Sequence, residues 1–507
     1  MASISYNDVL YEGTAVEASH PRRLAALARL FGVSAPPVAT ARVLEFGSAI
    51  GENLVPMAAA LPSACFLGLD NAVRQVERAR AFARRLGLSN IEFEARDILE
   101  VPESLGPFDY IIAHGVYSWV AEPVRLHMLQ LCGRLLAPGG VAFVSYNCYP
   151  GWYLRQPLRE LMLFATRQLN VPPGQLIGHA RAMAEIVVRT ALDIEDRLPG
   201  GPLYARVLAR ELDIIADRPD DYIAHEHLEP INTPVYFTEF IAQAEAAGLD
   251  YLADALVQRM VMPGLDPAVT AEFEQLAPDR IEREQLLDFV HGRTFRESLL
   301  VRAGTPIDRN PAPGALRGLA LRLLGEFIAP GEERYDPGLP KVRHPGGILT
   351  LRDPDLLEAI RLLDAARPRA LPVEQLAERI DPRRFWDRTA PKLLRLFWLG
   401  AIRLEAEPAA PAAAPGPLPR AFAPARDQAA RDGIPVSMLH TVEDVPPLAL
   451  RLLPFLDGTR TIDDLARIVH EQLAPRAEDE AIRAAGLSLA TARVAVVAAL
   501  QWLARHA

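Results

Sequence analysis

Lysine is nearly missing from this 507-residue chain: Lys341 and Lys392 are the only two, and arginine supplies the other basic side chains. A GC-rich genome accounts for that bias, and the abundance of alanine and proline agrees with it. Acidic residues outnumber basic ones, 64 to 54, for a formal charge of −10. No global basic field therefore draws the chain to nucleic acid or to an anionic membrane. Cysteine is scarce as well. Cys65, Cys132 and Cys148 are odd in number and widely spaced, which excludes both a disulfide framework and a zinc pattern. No uninterrupted apolar run reaches membrane-spanning length. The opening, "MASISYNDVLYEGTAVEASHP", carries acids and lacks the apolar centre of a signal peptide. No repeat recurs at a fixed period. A soluble, cytoplasmic protein without a nucleic-acid or membrane partner is the expectation. Half of the residues are hydrophobic, enough for several buried cores, and the length predicts roughly three domains.

Apolar runs at Arg42–Phe46, Cys65–Asp70, Ile91–Ala95, Tyr110–His114 and Val141–Asn147 read as strands. Helical patterns such as Val73–Leu86 and Pro123–Leu136 lie between them. That alternation predicts an α/β fold, a Rossmann-like, doubly wound parallel sheet over residues 1–151, with ligands bound beyond the carboxyl ends of its strands. Residues 152–310 read as a mostly helical middle domain. Residues 311–405, ending in "PKLLRLFWLGAIRL", have the helix–glycine–strand shape of a winged-helix module. A Pro/Ala-rich linker over 406–433 looks unable to pack. A C-terminal helical unit, 434–507, follows, in which Thr461 and Asp464 are spaced to cap a helix.

The first strand runs into "EFGSAIGEN", two glycines four apart. A dinucleotide fingerprint would place a third glycine where Glu52 stands, and a carboxylate at a helix opening repels a diphosphate. A P-loop is excluded, because no Gly-Lys-Ser/Thr follows. A ligand with a positive centre and no phosphate suits the turn better, and S-adenosylmethionine is such a ligand. Glu45 and Gly47–Gly51 would surround its methionine part, Asp70 would accept from the ribose hydroxyls, and Asp97 would face the adenine amino group. These acids recur about 25 residues apart, one per β-α unit. Surface acids on some other α/β sheet are the alternative reading.

The order E-x-G-x(3)-G, Asp70, Asp97, "FDYIIAHGVYSWV" and "VSYNCYPGW" resembles that of a class I methyltransferase. More narrowly, the chain is similar to bacterial proteins that join such a domain to a methyltransferase regulatory domain, the rickettsial protein-lysine methyltransferases among them. The resemblance starts at "SYNDVLYEG" and "SHPRRLAALARLFG" and continues through "DDYIAHEHLEPINTPVYFTEFIAQAEAAGLDYLADA" and "REQLLDFVHGRTFRESLL". It implies cofactor contacts from Tyr6, Tyr11, His20, Ser48, Ala49, Asn53, Asn71, Ile98, His114 and Gly115, beside the acids and glycines already named. The family loop usually reads G-C-A-S-G-G-N; here Ser48, Ile50 and Glu52 depart from it, and Leu10 replaces a proline.

Methyl transfer is an in-line displacement that needs a neutral lone pair and a dry site. A lysine acceptor must lose a proton, and aromatic faces favour cationic groups. Tyr117, Trp119, Asn147 and Tyr149 follow the fourth and fifth strands, near the ligand edge, as does Trp152. In "HEHLE", His225 and His227 do not suggest a metal site, since i, i+2 histidines suit a strand and lack a third partner. Glu226 or Glu229 lining an acceptor channel is the working expectation; plain domain docking is the other. The resemblance implies a methyltransferase acting on a protein side chain, lysine foremost. A small-molecule N- or O-methyltransferase and a catalytically silent cofactor sensor or scaffold remain as alternatives.

Overall fold

The computed structural model describes residues 4–197, 203–261, 267–332, 334–336, 338–442 and 444–506. Its centre is a seven-stranded sheet: β1 (Arg42–Phe46), β2 (Cys65–Asp70), β3 (Ile91–Ala95), β4 (Phe108–Ala113), β5 (Leu136–Asn147), β6 (Leu249–Asp254) and β7 (Phe295–Arg302). The spatial order is β3-β2-β1-β4-β5-β7-β6. The first five strands are parallel, while β7 runs antiparallel to both β5 and β6. Chain order reverses at β1, which lies between β2 and β4, so the connections leave to opposite faces and open a crevice at the carboxyl edge. Val43, Leu44, Phe46, Ile111 and Ile112 are fully buried, as strands covered on both faces require. Helices α1 (Pro21–Leu30), α2 (Leu54–Ala60), α3 (Val73–Arg85) and α4 (Glu122–Leu135) flank the sheet.

All five strands expected from the sequence form, the first three with the expected bounds and the last two with shifted ends. β4 starts earlier and stops at Ala113. β5 starts at Leu136, because Leu136 pairs with Phe108 across a register shift and draws the "APGG" turn into the strand. The stretch 152–310 does more than form helices. It supplies α5 (Trp152–Thr166), α6 (Pro173–Arg197) and α7 (Tyr204–Ile215), whose buried apolar faces share a core with Ile4. It also contributes β6 and β7, so the sheet extends well past residue 151.

Residues 311–405 carry two three-stranded sheets beside helices Pro354–Ala366, Val373–Ile380 and Ala390–Trp398. Their apolar side chains merge with the α1 side of the main sheet into one core. The 406–433 stretch differs from the expected unpacked linker. Pro424 sits in the first turn of a helix, Ala423–Ala430, that packs near α2 and buries Gln428 to 2 % exposure. The last unit has its own core around Leu452, Leu465 and Val496. Thr461 accepts from the Asp464 N–H at 3.2 Å while Asp464 accepts from the Thr461 N–H at 2.9 Å, the expected capping box. No helix among the described residues is long and apolar enough to cross a membrane.

Candidate active site

The backbone leaves β1 through a tight turn. Gly47 has φ +68°, and a Cβ there would lie 2.5 Å from Val116 Cγ2, so conformation and space both demand glycine. Gly47 and Ser48 N–H groups donate to the Leu69 carbonyl at 2.8 and 3.1 Å. Ala49, itself left-handed at φ +44°, donates its N–H to Asp70 Oδ2 at 3.0 Å. Asp70 Oδ1 accepts from the Ala72 N–H at 2.8 Å. The turn is thus stapled to the end of β2, with Asp70 as the staple.

Beside this turn lies a cavity of about 710 Å³. From the sheet edge, Glu45, Gly47, Ser48, Ala49, Asn53, Asp70, Asn71, Asp97, Ile98, His114 and Gly115 line it. Tyr6 and Tyr11 close it from the N-terminal segment, and Trp119, Asn147, Glu226 and Glu229 form the far side. Four expected positions lie elsewhere. Gly51 (φ +84°) backs onto Phe93, Val55 and Ala79 and supports the turn from behind. His20 caps α1, its Nδ1 accepting from the Arg22 N–H at 3.1 Å. Tyr117 shares a short helical turn with Trp119 but points the other way, into the core, donating to Gln243 Oε1 at 2.5 Å against Phe240. Tyr149 stacks on Tyr153 at 4.2 Å, away from the cavity.

Glu45 is 3 % exposed, and Asn53 Nδ2 donates to its Oε1 at 2.7 Å. Its Oε2 is buried without a hydrogen-bond partner among the described residues. Burial pushes the Glu45 carboxyl up to about 7, opposed by the Asn53 hydrogen bond. Burial also raises Asp70, against its two backbone donors. Asp97 Oδ1 accepts from the Leu99 N–H at 2.9 Å, which holds its carboxylate at the cavity wall. An unpaired carboxylate oxygen, a second acid at the end of β2 and a third after β3 fit the ammonium, ribose and adenine of S-adenosylmethionine.

Glu52, where this loop departs from the family's glycine, is satisfied from outside: Gln428 donates to it, and Arg431 pairs with it at 3.4 Å. Gln428, Arg431 and His440, whose Nε2 reaches Asn53, were not legible as site residues. They stand nearly 400 positions away, and only the unusual Glu52 marks the place they act on.

The first three residues of "HEHLE" belong to a single wide π-turn, Ile223–His227. His225 Nε2 donates to the Val9 carbonyl at 2.7 Å, and its ring stacks on Tyr6 at 4.0 Å, tethering the N-terminal segment over the cavity. His227 turns toward Tyr222 instead. No group of three or more His, Cys, Asp or Glu side chains able to hold a metal occurs among the described residues. Burial pushes Glu226 up to about 7 despite Arg155 and Arg159, and raises Glu229. Burial and these two carboxylates hold the Tyr6 phenol well above its usual range; burial and Glu226 do the same to Tyr11. Both phenols therefore stay neutral and act as donors and ring faces. Arg155 and Tyr222, also missed from sequence, line the cavity and hydrogen-bond at 3.3 Å.

Residues 38–172 match the family model of a methyltransferase domain, and residues 219–302 that of a predicted methyltransferase regulatory domain. An uncharacterised Rickettsia prowazekii protein, RP789, is 37% identical over 305 residues, 60% of this chain and 54% of that protein. A second from the same strain, RP028, is 35% identical over 243 residues, 48% of this chain and 94% of its own length. The chain therefore spans about half of RP789 and nearly all of RP028. Among solved structures, PKMT2 from Rickettsia typhi in complex with AdoHcy superimposes with a TM-score of 0.82 at 26% identity, covering 98% of this chain and 99% of that one.

Proposed function

We infer that this chain, which belongs to the methyltransferases that carry a methyltransferase regulatory domain, transfers a methyl group from S-adenosylmethionine to a protein side chain, the lysine ε-amine. One observation carries the reading. A single cavity joins the Glu45–Asp70–Asp97 edge to a second acidic wall of Glu226 and Glu229, roofed by Tyr6 and Tyr11. The likeness of the whole chain to PKMT2 supports the same acceptor class.

S-adenosylmethionine supplies a methyl group on a sulfonium, activated for displacement. The chain's residues do the rest. Glu45 and Asp70 orient the donor from the sheet edge. A lysine arrives as an ammonium with an ordinary pKa near 10.4 and must shed a proton before it is a nucleophile. Glu226, with its carboxyl at about 7, is half-charged at neutral pH and suited to take that proton through water. Tyr6, Tyr11 and Trp119 present π-faces to cationic groups, each worth about 0.5–2 kcal/mol when desolvated. The stack of Tyr6 on His225 holds the roof over the cavity.

The test is a methyl-transfer assay with radiolabelled S-adenosylmethionine on bacterial lysate, separated into protein and small-molecule fractions. Label is expected in protein and, after hydrolysis, in methyl-lysine. Label confined to small molecules would replace the protein acceptor by a metabolite. Tight cofactor binding with no transfer would favour a silent sensor.

A further inference from the structure

The cofactor edge of the cavity is braced by a segment that enters it from the far end of the chain. Helix Ala423–Ala430 packs near α2, and from it and the residue after it Gln428 and Arg431 reach Glu52 on the glycine loop. Arg85 holds Asp427 through two bonds of 2.8 and 2.9 Å. Arg431 pairs with Asp427 at 2.8 Å and lies over the Phe82 ring at 4.9 Å. Gln428 spends both ends of its amide, donating to Glu52 and accepting from the Val436 N–H at 2.9 Å.

The segment then turns inward at His440, 2 % exposed and left-handed at φ +62°. A histidine in that conformation persists only where its surroundings hold it there. Its Nε2 lies 2.9 Å from Asn53 Oδ1. The same Oδ1 accepts from the Val16 N–H at 2.9 Å, which identifies it as the carbonyl oxygen. His440 must therefore donate, and its tautomer follows. Burial and Arg22 hold the imidazole down to about 3, so it stays a neutral donor throughout the working pH range. With Oδ1 gripped by two donors, the Asn53 amide is fixed with Nδ2 on Glu45 Oε1, and Glu45 Oε2 is left for the cavity.

We propose that His440 is a positioning residue of the cofactor site: by locking Asn53 it holds Glu45 in the rotamer that receives the ligand's ammonium. The C-terminal segment thereby sets cofactor affinity without touching the cofactor. Glu52 fits the same account, since it gives this segment a carboxylate to seize on the loop itself. The inference rests on the cofactor reading above.

Calorimetric titration of the full chain with S-adenosylhomocysteine tests it. H440F is expected to weaken binding roughly tenfold, the scale of one lost hydrogen bond at a ligand-facing group. H440A, with less bulk, carries the same expectation should the phenylalanine variant not fold. H440Q, whose amide can donate to Asn53, is expected to stay within about twofold of the parent. In an E45Q background H440F is expected to have no further effect. T461A, which breaks a capping box elsewhere in the C-terminal unit, should lower melting temperature and leave affinity alone. Equal binding by H440F and parent would overturn the proposal, and so would simple addition of the H440F and E45Q losses. A parent chain that binds no S-adenosylhomocysteine would overturn the cofactor reading instead.

Discussion

Replacing Glu45 by glutamine separates what the site does for the ligand from what it costs the fold. Glu45 is buried with its carboxyl moved from 4.5 to about 7. A native state that binds a proton more tightly than the unfolded chain draws stability from it, fully present below the unfolded value and lost as pH rises through the folded one. Well above pH 7 the ionised side chain therefore penalises the empty protein by about 3 kcal/mol. Glutamine keeps an acceptor for Asn53 and removes the charge. E45Q should thus be more stable than the parent at pH 8, by up to about 3 kcal/mol or a few degrees in melting temperature. The gain should shrink to roughly 1 kcal/mol by pH 5.5. Ligand binding should move the other way. Parent affinity for S-adenosylhomocysteine should rise with pH through about 7 as the carboxylate forms, whereas E45Q should bind at least roughly tenfold more weakly, with that rise removed. Denaturant unfolding and calorimetry across about pH 5.5–8.5 read both halves. An E45Q protein that is less stable at pH 8 and binds as the parent does would refute the reasoning.

Three further outcomes are expected. D70N sets an amide donor against one of the two backbone N–H groups its carboxylate receives; binding of S-adenosylhomocysteine should fall about 100-fold, and an unchanged titration would contradict the staple. G47A should cost about 1–2 kcal/mol for its left-handed conformation and more for the Val116 contact. Adding V116A should recover only the second part in urea unfolding, and strictly additive losses would remove the steric argument. E226Q should lower kcat roughly 100-fold and abolish a rise in rate near pH 7; a pH–rate profile identical to the parent's would rule out Glu226 as proton acceptor.

How much was legible depends on how local the cause is. Strands β1, β2, β4 and β5 read directly as mostly apolar runs because helices cover both sheet faces, while β3, at the sheet edge, reads as the apolar–polar alternation of "IEFEA". β7 did not, since "FRESLLVR" carries Arg296 and Glu297 where a central strand should be apolar. Only the fold shows Arg296 fully buried, bonded to Asp288 at 2.8 Å and to Glu284 at 3.2 Å, so that its charge is neutralised inside. The acids at strand ends were legible for a similar reason. Glu45 is the last residue but one of β1, Asp70 ends β2 and Asp97 comes two residues after β3, and the topology sends all those ends to one rim. Tyr117 and Tyr149 were not: a short helical turn sends Tyr117 and Trp119 in different directions, Tyr149 leaves the end of β5 to stack on Tyr153, and only packing decides which ring meets the cavity.

What the residues determined alone was the chemistry available: glycines for a turn no other side chain tolerates, and one acid per β-α unit. Which of those groups became a site was decided by contacts between distant segments. The π-turn at Ile223–His227 brought Glu226 over the sheet edge, and His440 reached Asn53 from 387 positions away. Periodicity and propensity act over a few residues, whereas the partner that satisfies a buried amide or carboxylate is set by where the whole chain closes on itself.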